Sequence, residues 1–303
     1  MERFINGDWE LAAYLVTGGA GFIGSHLVEA LSASGHEVTV LDNLSSGDKK
    51  NIELLLGTKV NFVEGDIRDK TLLDKLVQNC DGVFHLAALV SVPESIKNPL
   101  DSFSVNLQGT LNVFESCKGR EQIRIVFASS AAVYGNIEQL PIQEGATGNP
   151  LSPYGLHKLM CEKHAELYAK LYNVNSVGLR FFNVFGPRQD PSSPYSGVIS
   201  IFIDRLVKGT APVIYGDGGQ TRDFVYVADV VQALVKAMDS QKQGFEVFNV
   251  GRGEGISINM LFEILRGIVG TKLSAEFEPA RNGEIHTSLA DISKIGSALG
   301  YSA

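Results

Sequence analysis

The sequence predicts an α/β protein built on a doubly wound parallel sheet, with a smaller C-terminal lobe. Three observations carry this. Short β-branched runs alternate with longer helical patterns over the first 180 residues, a glycine-rich turn joins the first run to the first helix, and the rhythm breaks after about Arg180. Alternating strands and helices need right-handed crossovers. These cover both faces of a parallel sheet and leave its carboxyl ends open to ligands.

The expected strands are Ala13–Thr17, Glu37–Leu41, Val60–Glu64, Gly82–Leu86, Arg124–Ala128 and Ser176–Leu179. Apolar spacing places helices at Gly24–Ser34, Lys70–Gln78, Leu100–Cys117 and Pro153–Tyr172. Phe185–Gly197, rich in Pro, Gly and Ser, reads as a loop. A helix at Val198–Lys208, a turn at Tyr215–Gly219, a helix at Asp229–Met238 and a strand at Glu246–Gly251 follow. The expected division is a main domain over 11–180, to which elements around 223–251 return, and a second lobe over 181–222 and 252–303.

Composition bounds the function. With 303 residues, 44% apolar and 20% charged, the chain has the make-up of a globular protein, not of a disordered, fibrous or disulfide-stapled one. Its apolar runs are strand-sized, so no membrane span is expected. Met1–Glu10 is polar and lacks a secretory profile, which makes the cytoplasm the expected location. A net charge of −8 speaks against nucleic acid or an anionic membrane as partner. Cys80, Cys117 and Cys161 form no CxxC pair and read as buried reduced thiols. The six histidines show no metal-binding pattern, so no metal is expected.

Thr17-Gly18-Gly19-Ala20-Gly21-Phe22-Ile23-Gly24 follows the first strand and opens the first helix. Glycines let a backbone approach a pyrophosphate, and the helix N-terminus offers N–H groups and partial positive charge. Asp42 ends the second strand, 24 residues after Gly18, where a carboxylate can hold ribose hydroxyls and repel a 2′-phosphate. The pair points to NAD over NADP, with Lys49 and Lys50 as a counter-signal. Asp66, ending the third strand, could reach the adenine, although a simple turn explains that segment nearly as well when it is read alone.

Tyr154 and Lys158 stand four apart on a helix, so phenol and ammonium share a face. A tyrosine titrating near 10 is a poor base at neutral pH, and a lysine cation with a positive nicotinamide would favour the phenolate. The run Phe127-Ala128-Ser129-Ser130-Ala131-Ala132-Val133-Tyr134-Gly135 begins at a strand's carboxyl end. A serine there can bridge a substrate hydroxyl and the tyrosine, or merely cap a turn.

Together with His85-Leu86-Ala87-Ala88 and Arg180-Phe181-Phe182-Asn183, these motifs resemble the extended short-chain dehydrogenase/reductase superfamily, whose fold is Rossmann-type. Within it the chain is most similar to nucleotide-sugar 4-epimerases of the UDP-glucose/UDP-N-acetylglucosamine type. The resemblance runs from about Ala13 to Tyr301. It implies that Tyr154 removes the sugar O4 proton, that Ser130 assists, and that Lys158 holds the nicotinamide ribose and tunes Tyr154. It adds Phe22, Ile23, Asn43, Ile67, Ala87 and Ser129 to Gly18, Gly21, Gly24, Asp42 and Asp66 as cofactor contacts. It places a UDP-sugar on the second lobe, with Asn183, Arg222 and Arg281 on the diphosphate, Val198 and Tyr215 on uridine, and Ser91 and Ser288 on the sugar. Relatives usually carry a final helix beyond the Gly300-Tyr301 position, and this sequence stops at Ala303.

Ala131 and Ala132 separate this chain from dehydratases and decarboxylases, which place proton-transferring acids in that loop. A uronate 4-epimerase stays open, as does a catalytically silent NAD-binding regulator, although such proteins tend to lose the Tyr/Lys pair. Ser288 is small where glucose-restricted epimerases can carry a bulky Tyr, which implies room for an acetamide. On the same resemblance the chain is expected to form a homodimer through its two long apolar-striped helices.

Overall fold

The structure, a computed structural model, describes residues 11–146, 148–190, 197–280 and 285–303. Its first half alternates strand and helix: β1 (Ala13–Thr17), α1 (Phe22–Ala33), β2 (Glu37–Asp42), β3 (Val60–Glu64), α2 (Lys70–Val77) and β4 (Gly82–His85). Then come α3 (Val92–Lys97), α4 (Pro99–Ser102), a π-wound turn over Phe103–Gln108, α5 (Gly109–Cys117), β5 (Arg124–Ser130), α6 (Pro153–Tyr172) and β6 (Asn175–Phe181). The single long helix expected over Leu100–Cys117 is thus interrupted by a π segment, in which the Asn106 carbonyl takes the Thr110 hydroxyl and the Cys161 thiol as donors.

The second half holds β7 (Asn183–Phe185), α7 (Val198–Val207), β8 (Val213–Tyr215), β9 (Thr221–Tyr226), α8 (Val227–Met238) and β10 (Phe245–Val250). It ends with β11 (Gly255–Ser257), α9 (Ile258–Val269), β12 (Glu276–Glu278), β13 (Thr287–Ser288) and α10 (Ser293–Leu299).

Seven parallel strands form the main sheet in the order β10-β6-β5-β4-β1-β2-β3. The central strands β4 and β6 are buried along their whole length, as a sheet covered on both faces requires. Val16, Leu27, Val28 and Val40 share one face with Leu234 of α8, while Leu15, Phe114, Ile125 and Ala165 fill the other. Strand order reverses between β1 and β4, so the crevice of a doubly wound sheet opens at their carboxyl ends. A second, smaller sheet gathers β7, β11 and β13 around β9. Beside it α7 and α9 pack around Phe202 and Phe262. No described helix is long and apolar enough to cross a membrane.

Candidate active site

The glycine turn is fitted to its neighbours. Gly18 has φ +71°, and a Cβ on it would lie 2.6 Å from the Ala87 nitrogen at the end of β4. A Cβ on Gly24 would fall 2.1 Å from the Gly18 carbonyl, so only glycine lets α1 start this close to β1. The first turn of α1, with Phe22 and Ile23, has no side-chain cap and no acidic residue. That leaves its N–H groups and positive dipole end to an anion.

Asp42 is buried and accepts from the backbone N–H groups of Ala20 (3.0 Å) and Leu44 (2.9 Å). Two of a carboxylate's roughly four acceptor positions remain, enough for a ribose diol. Lys49, the counter-signal to NAD, lies over the Phe62 ring at 4.9 Å. Asp66 is crowded: Arg68 holds it with Nε (2.9 Å), Nη2 (2.7 Å) and its backbone N–H (2.8 Å), and Asn43 donates through Nδ2 (2.9 Å). The Arg68 hydrogen bond leads in pulling this carboxyl down to about 2. For Asp66 to take an adenine amine as well, one of these donors has to give way. Ile67 is buried, its Cδ1 packed at Gly109 of α5.

Ser152 caps α6 by accepting from the Gly155 N–H (3.1 Å), and Pro153 opens it. The helix turns Tyr154, Lys158, Cys161, Glu162 and Ala165 inward. Lys158 donates to the Ala128 carbonyl (2.7 Å), and its Nζ stands 5.9 Å from the Tyr154 ring centre. Burial pushes the Tyr154 phenol up to about 12, while a hydrogen bond with Ser130 pulls it down. The protein alone therefore favours the neutral phenol, and the phenolate expected from Lys158 together with a positive nicotinamide needs both charges. Burial also lowers Lys158. Ser130 serves twice, because its hydroxyl also accepts from the Ala132 N–H (3.1 Å) and caps the following turn.

Sequence reasoning missed two buried polar groups that frame this pair. Ser129, expected at the cofactor, donates to Glu162 Oε1 at 2.5 Å. Glu162 is also forked by Arg180 through Nε (2.9 Å) and Nη2 (2.6 Å). Arg180 goes on to the Tyr134 hydroxyl (2.8 Å), which donates to Asn249 of β10. The i, i+4 series Tyr154, Lys158, Glu162 was the available signal.

The second group is His85. The Thr110 hydroxyl donates to the Asn106 carbonyl (2.6 Å), so its 2.9 Å contact with His85 Nε2 makes that nitrogen the donor. Nδ1 then accepts from the Thr17 hydroxyl at 2.7 Å. Burial lowers this imidazole to about 3 and keeps it neutral. Asn106 in turn fixes the loop after β4, accepting from the Leu89 N–H (2.8 Å) and donating to its carbonyl (3.0 Å).

The second lobe brings several predicted substrate residues onto neighbouring strands. Asn183 begins β7 and pairs with Phe224 of β9, two residues beyond Arg222. Ser288 of β13 is the register partner of Arg222. Arg222 donates through Nη1 to the Thr221 carbonyl at 2.9 Å. Val198 opens α7, and Tyr215 ends β8, its carbonyl held by Gln220 Nε2 (2.8 Å). Ser91 is buried and caps α3, accepting from the Glu94 N–H (2.9 Å). Arg281 lies outside the described residues.

This geometry has close counterparts. The chain is 39% identical over 290 residues to the UDP-glucose 4-epimerase of Mycolicibacterium smegmatis, covering 95% of this chain and 92% of that one. Its fold superposes with a TM-score of 0.93 on a UDP-N-acetylglucosamine 4-epimerase from Methanobrevibacter ruminantium solved with UDP-N-acetylmuramic acid. The identity is 40%, over 97% of this chain and 93% of that one. A UDP-glucose 4-epimerase of Thermotoga maritima, solved with UDP-glucose, gives a TM-score of 0.90 and 37% identity over 96% and 93% of the two chains. Residues 14–251 match the family model described as the NAD dependent epimerase/dehydratase family. A glycine turn fitted to β4, an uncapped helix start and a carboxylate with acceptor positions to spare suit that cofactor, and the chain belongs to the NAD-dependent epimerase/dehydratase family, with NAD as its cofactor.

Proposed function

We propose that this protein interconverts UDP-hexoses at C4, with UDP-GlcNAc and UDP-GalNAc as its main pair and UDP-glucose and UDP-galactose as further substrates. The observation that carries the reading is the buried α6 face that brings Lys158 Nζ to 5.9 Å from the Tyr154 ring, with Ser130 at the end of β5 on the same side pulling the phenol down. Ser130 stands beside Ala131 and Ala132, which have no proton to give or take. Elimination of water or loss of carboxylate needs an added acid or base here; C4 epimerisation does not. Relatives that act on UDP-glucose and on UDP-N-acetylglucosamine as 4-epimerases support the reaction class.

In this reading Tyr154 takes the O4 proton and returns it after the sugar has turned, with Ser130 as the hydrogen-bonded bridge. Lys158 holds the ribose side and contributes positive charge beside the phenol. NAD, when bound, supplies the hydride acceptor at C4 and the hydride that returns to the opposite face. Gly18, Gly21, Phe22, Ile23 and Gly24 take the pyrophosphate, Asp42 and Asn43 the ribose, and Asp66, Ile67, Ala87 and Ser129 line the rest. Asn183, Arg222 and Arg281 clamp the diphosphate, Val198 and Tyr215 flank uridine, and Ser91 and Ser288 face the sugar. Arginine forks suit phosphate oxygens, which reconciles an acidic chain with an anionic substrate.

Ser288 supports the N-acetylated pair, since a small residue leaves room on the C2 side. The reading also includes a cytoplasmic homodimer. Its test is a panel of UDP-sugars followed for formation of the C4 epimer. Turnover of UDP-GlcNAc is expected. Turnover of UDP-glucose alone overturns the substrate assignment, and turnover of neither overturns the reaction.

A further inference from the structure

Arg222 is followed in β9 by Asp223, a fully buried carboxylate. Its oxygens accept three backbone N–H bonds from two distant segments: Oδ1 from Arg252 (2.7 Å), Oδ2 from Gly253 (3.0 Å) and Ala290 (3.1 Å). Gly251 packs so close that a Cβ on it would lie 2.7 Å from Oδ2. Arg252 and Gly253 form the turn leaving β10, the edge strand of the main sheet, and Ala290 follows the strand that carries Ser288. One side chain therefore ties the small sheet to the large one and to the Ser288 strap. A buried carboxylate is expensive unless its donors repay it, so a residue with only a packing role would be apolar here.

The strap is gripped from its other side by Ile142. The Ile142 N–H donates to the Leu289 carbonyl (2.8 Å), and the Asp291 N–H donates to the Ile142 carbonyl (2.9 Å). Ile142 lies in the segment between Ser130 and Tyr154. Alternate backbone groups of residues 289–291 are thus held by the catalytic half on one side and by Asp223 on the other.

We propose that Asp223 is a positioning residue for sugar specificity: by holding the strap at Ala290 it sets the separation of Ser288 from Arg222, and so the room on the C2 side of a UDP-hexose. This rests on the assignment of Ser288 and Arg222 to the substrate given above. Asp223→Asn keeps the shape but turns one acceptor oxygen into a donor. At the Oδ1 position it opens only the Arg252 bond, and at the Oδ2 position it opens the Gly253 and Ala290 bonds and releases the strap. A strap released at Ala290 can fall into the space the acetamide needs, and the bulkier substrate loses more.

The test compares wild type and Asp223→Asn as holoenzymes, using UDP-GlcNAc and UDP-glucose. The expected result is a rise of about tenfold in KM for UDP-GlcNAc, a smaller rise for UDP-glucose, kcat within about threefold, and unchanged NAD content. Equal effects on both substrates, or a loss confined to stability, overturn the proposal. Ala290→Pro is run beside it. That change removes the strap's N–H and sets the proline ring against Asp223 Oδ2, so the strap is released at that point in any case, and unchanged discrimination in that variant overturns the proposal equally. Ser288→Tyr run in parallel separates the two ideas. If it discriminates between the sugars and Asp223→Asn does not, the positioning role falls and the substrate assignment stands. If neither discriminates, both fall.

Discussion

Tyr154 is asked to act as a base from a position that by itself holds it as an acid. Burial raises the phenol to about 12, against the Ser130 hydrogen bond, so the positive charge that makes it a base has to come from Lys158 and the nicotinamide together. Replacing Tyr154 with Phe removes the proton carrier while leaving the glycine turn and Asp42 intact. Turnover is expected to fall by about 10²–10⁴-fold with NAD still bound at one per chain, measured by epimer assay and by cofactor released on denaturation. A Phe variant with near-normal kcat would remove Tyr154 from the chemistry. His85 makes a second prediction, on stability. The unfolded chain protonates this residue near 6.5 and the folded chain only near 3. Between those values the unfolded state binds the extra proton, so stability rises with pH by about 1.4 kcal/mol per unit from this group and is lost as pH falls. Burial lowers His36 and His157 in the same sense. Denaturant midpoints between pH 4.5 and 6.5 should therefore show a shallower slope in His85→Asn than in wild type; equal slopes would mean that His85 is charged in the native protein.

The smallest element makes the sharpest substrate prediction. Strand β13 is two residues long, and Ser288 in it pairs with Arg222, so a side chain added there grows beside the proposed diphosphate clamp. In Ser288→Tyr, kcat/KM for UDP-GlcNAc is expected to collapse while that for UDP-glucose changes little, as competing-substrate assays would show; a parallel fall for both sugars would clear Ser288 of the gatekeeping role. That same element shows where the sequence was legible and where it was not. The main-sheet strands β1 to β6 announce themselves by β-branched runs of four to seven residues with helical spacing between them. The strands β7, β8, β11, β12 and β13 have two or three residues each and too little periodicity to register. Strand β9 reads as mixed polar and apolar until its partners, drawn from 183–185, 255–257 and 287–288, are assembled around it. Glu162 stands a third step after Tyr154 and Lys158, but its meaning depends on Arg180 on the next strand, β6, whose side chain only the packed sheet brings back to α6. Asn106 carried no signal at all, because its role comes from a π-wound turn that periodicity cannot separate from an ordinary helix.

At the scale of the molecule, the helices that build the active site also leave an apolar surface uncovered. The inward face of α6 holds Tyr154, Lys158 and Glu162, while its opposite side shows Leu156, Leu167 and Leu171, the last two 46% and 60% exposed. Adjoining it, Leu100 of α4 is 82% exposed and Phe103 44%, with the Phe103 ring edge-on to His157 of α6 at 5.9 Å. Exposed apolar side chains on these neighbouring helices suit an interface, and two helices meeting their copies across a two-fold would cover them. The proposed homodimer therefore has a location. Light scattering on the eluting protein should give twice the chain mass, and the thermal midpoint should rise with protein concentration because association stabilises only the folded state. The double variant Phe103→Glu, Leu167→Glu places four carboxylates in the proposed two-fold interface and should run at the mass of one chain. NAD content should survive, since neither residue touches the glycine turn or Asp42. Activity should fall less than in Tyr154→Phe, because Phe103 and Leu167 are exposed and neither belongs to the proposed catalytic set. A wild-type protein that elutes at the mass of one chain at every concentration would leave this face without a partner, and the dimer would have to be abandoned.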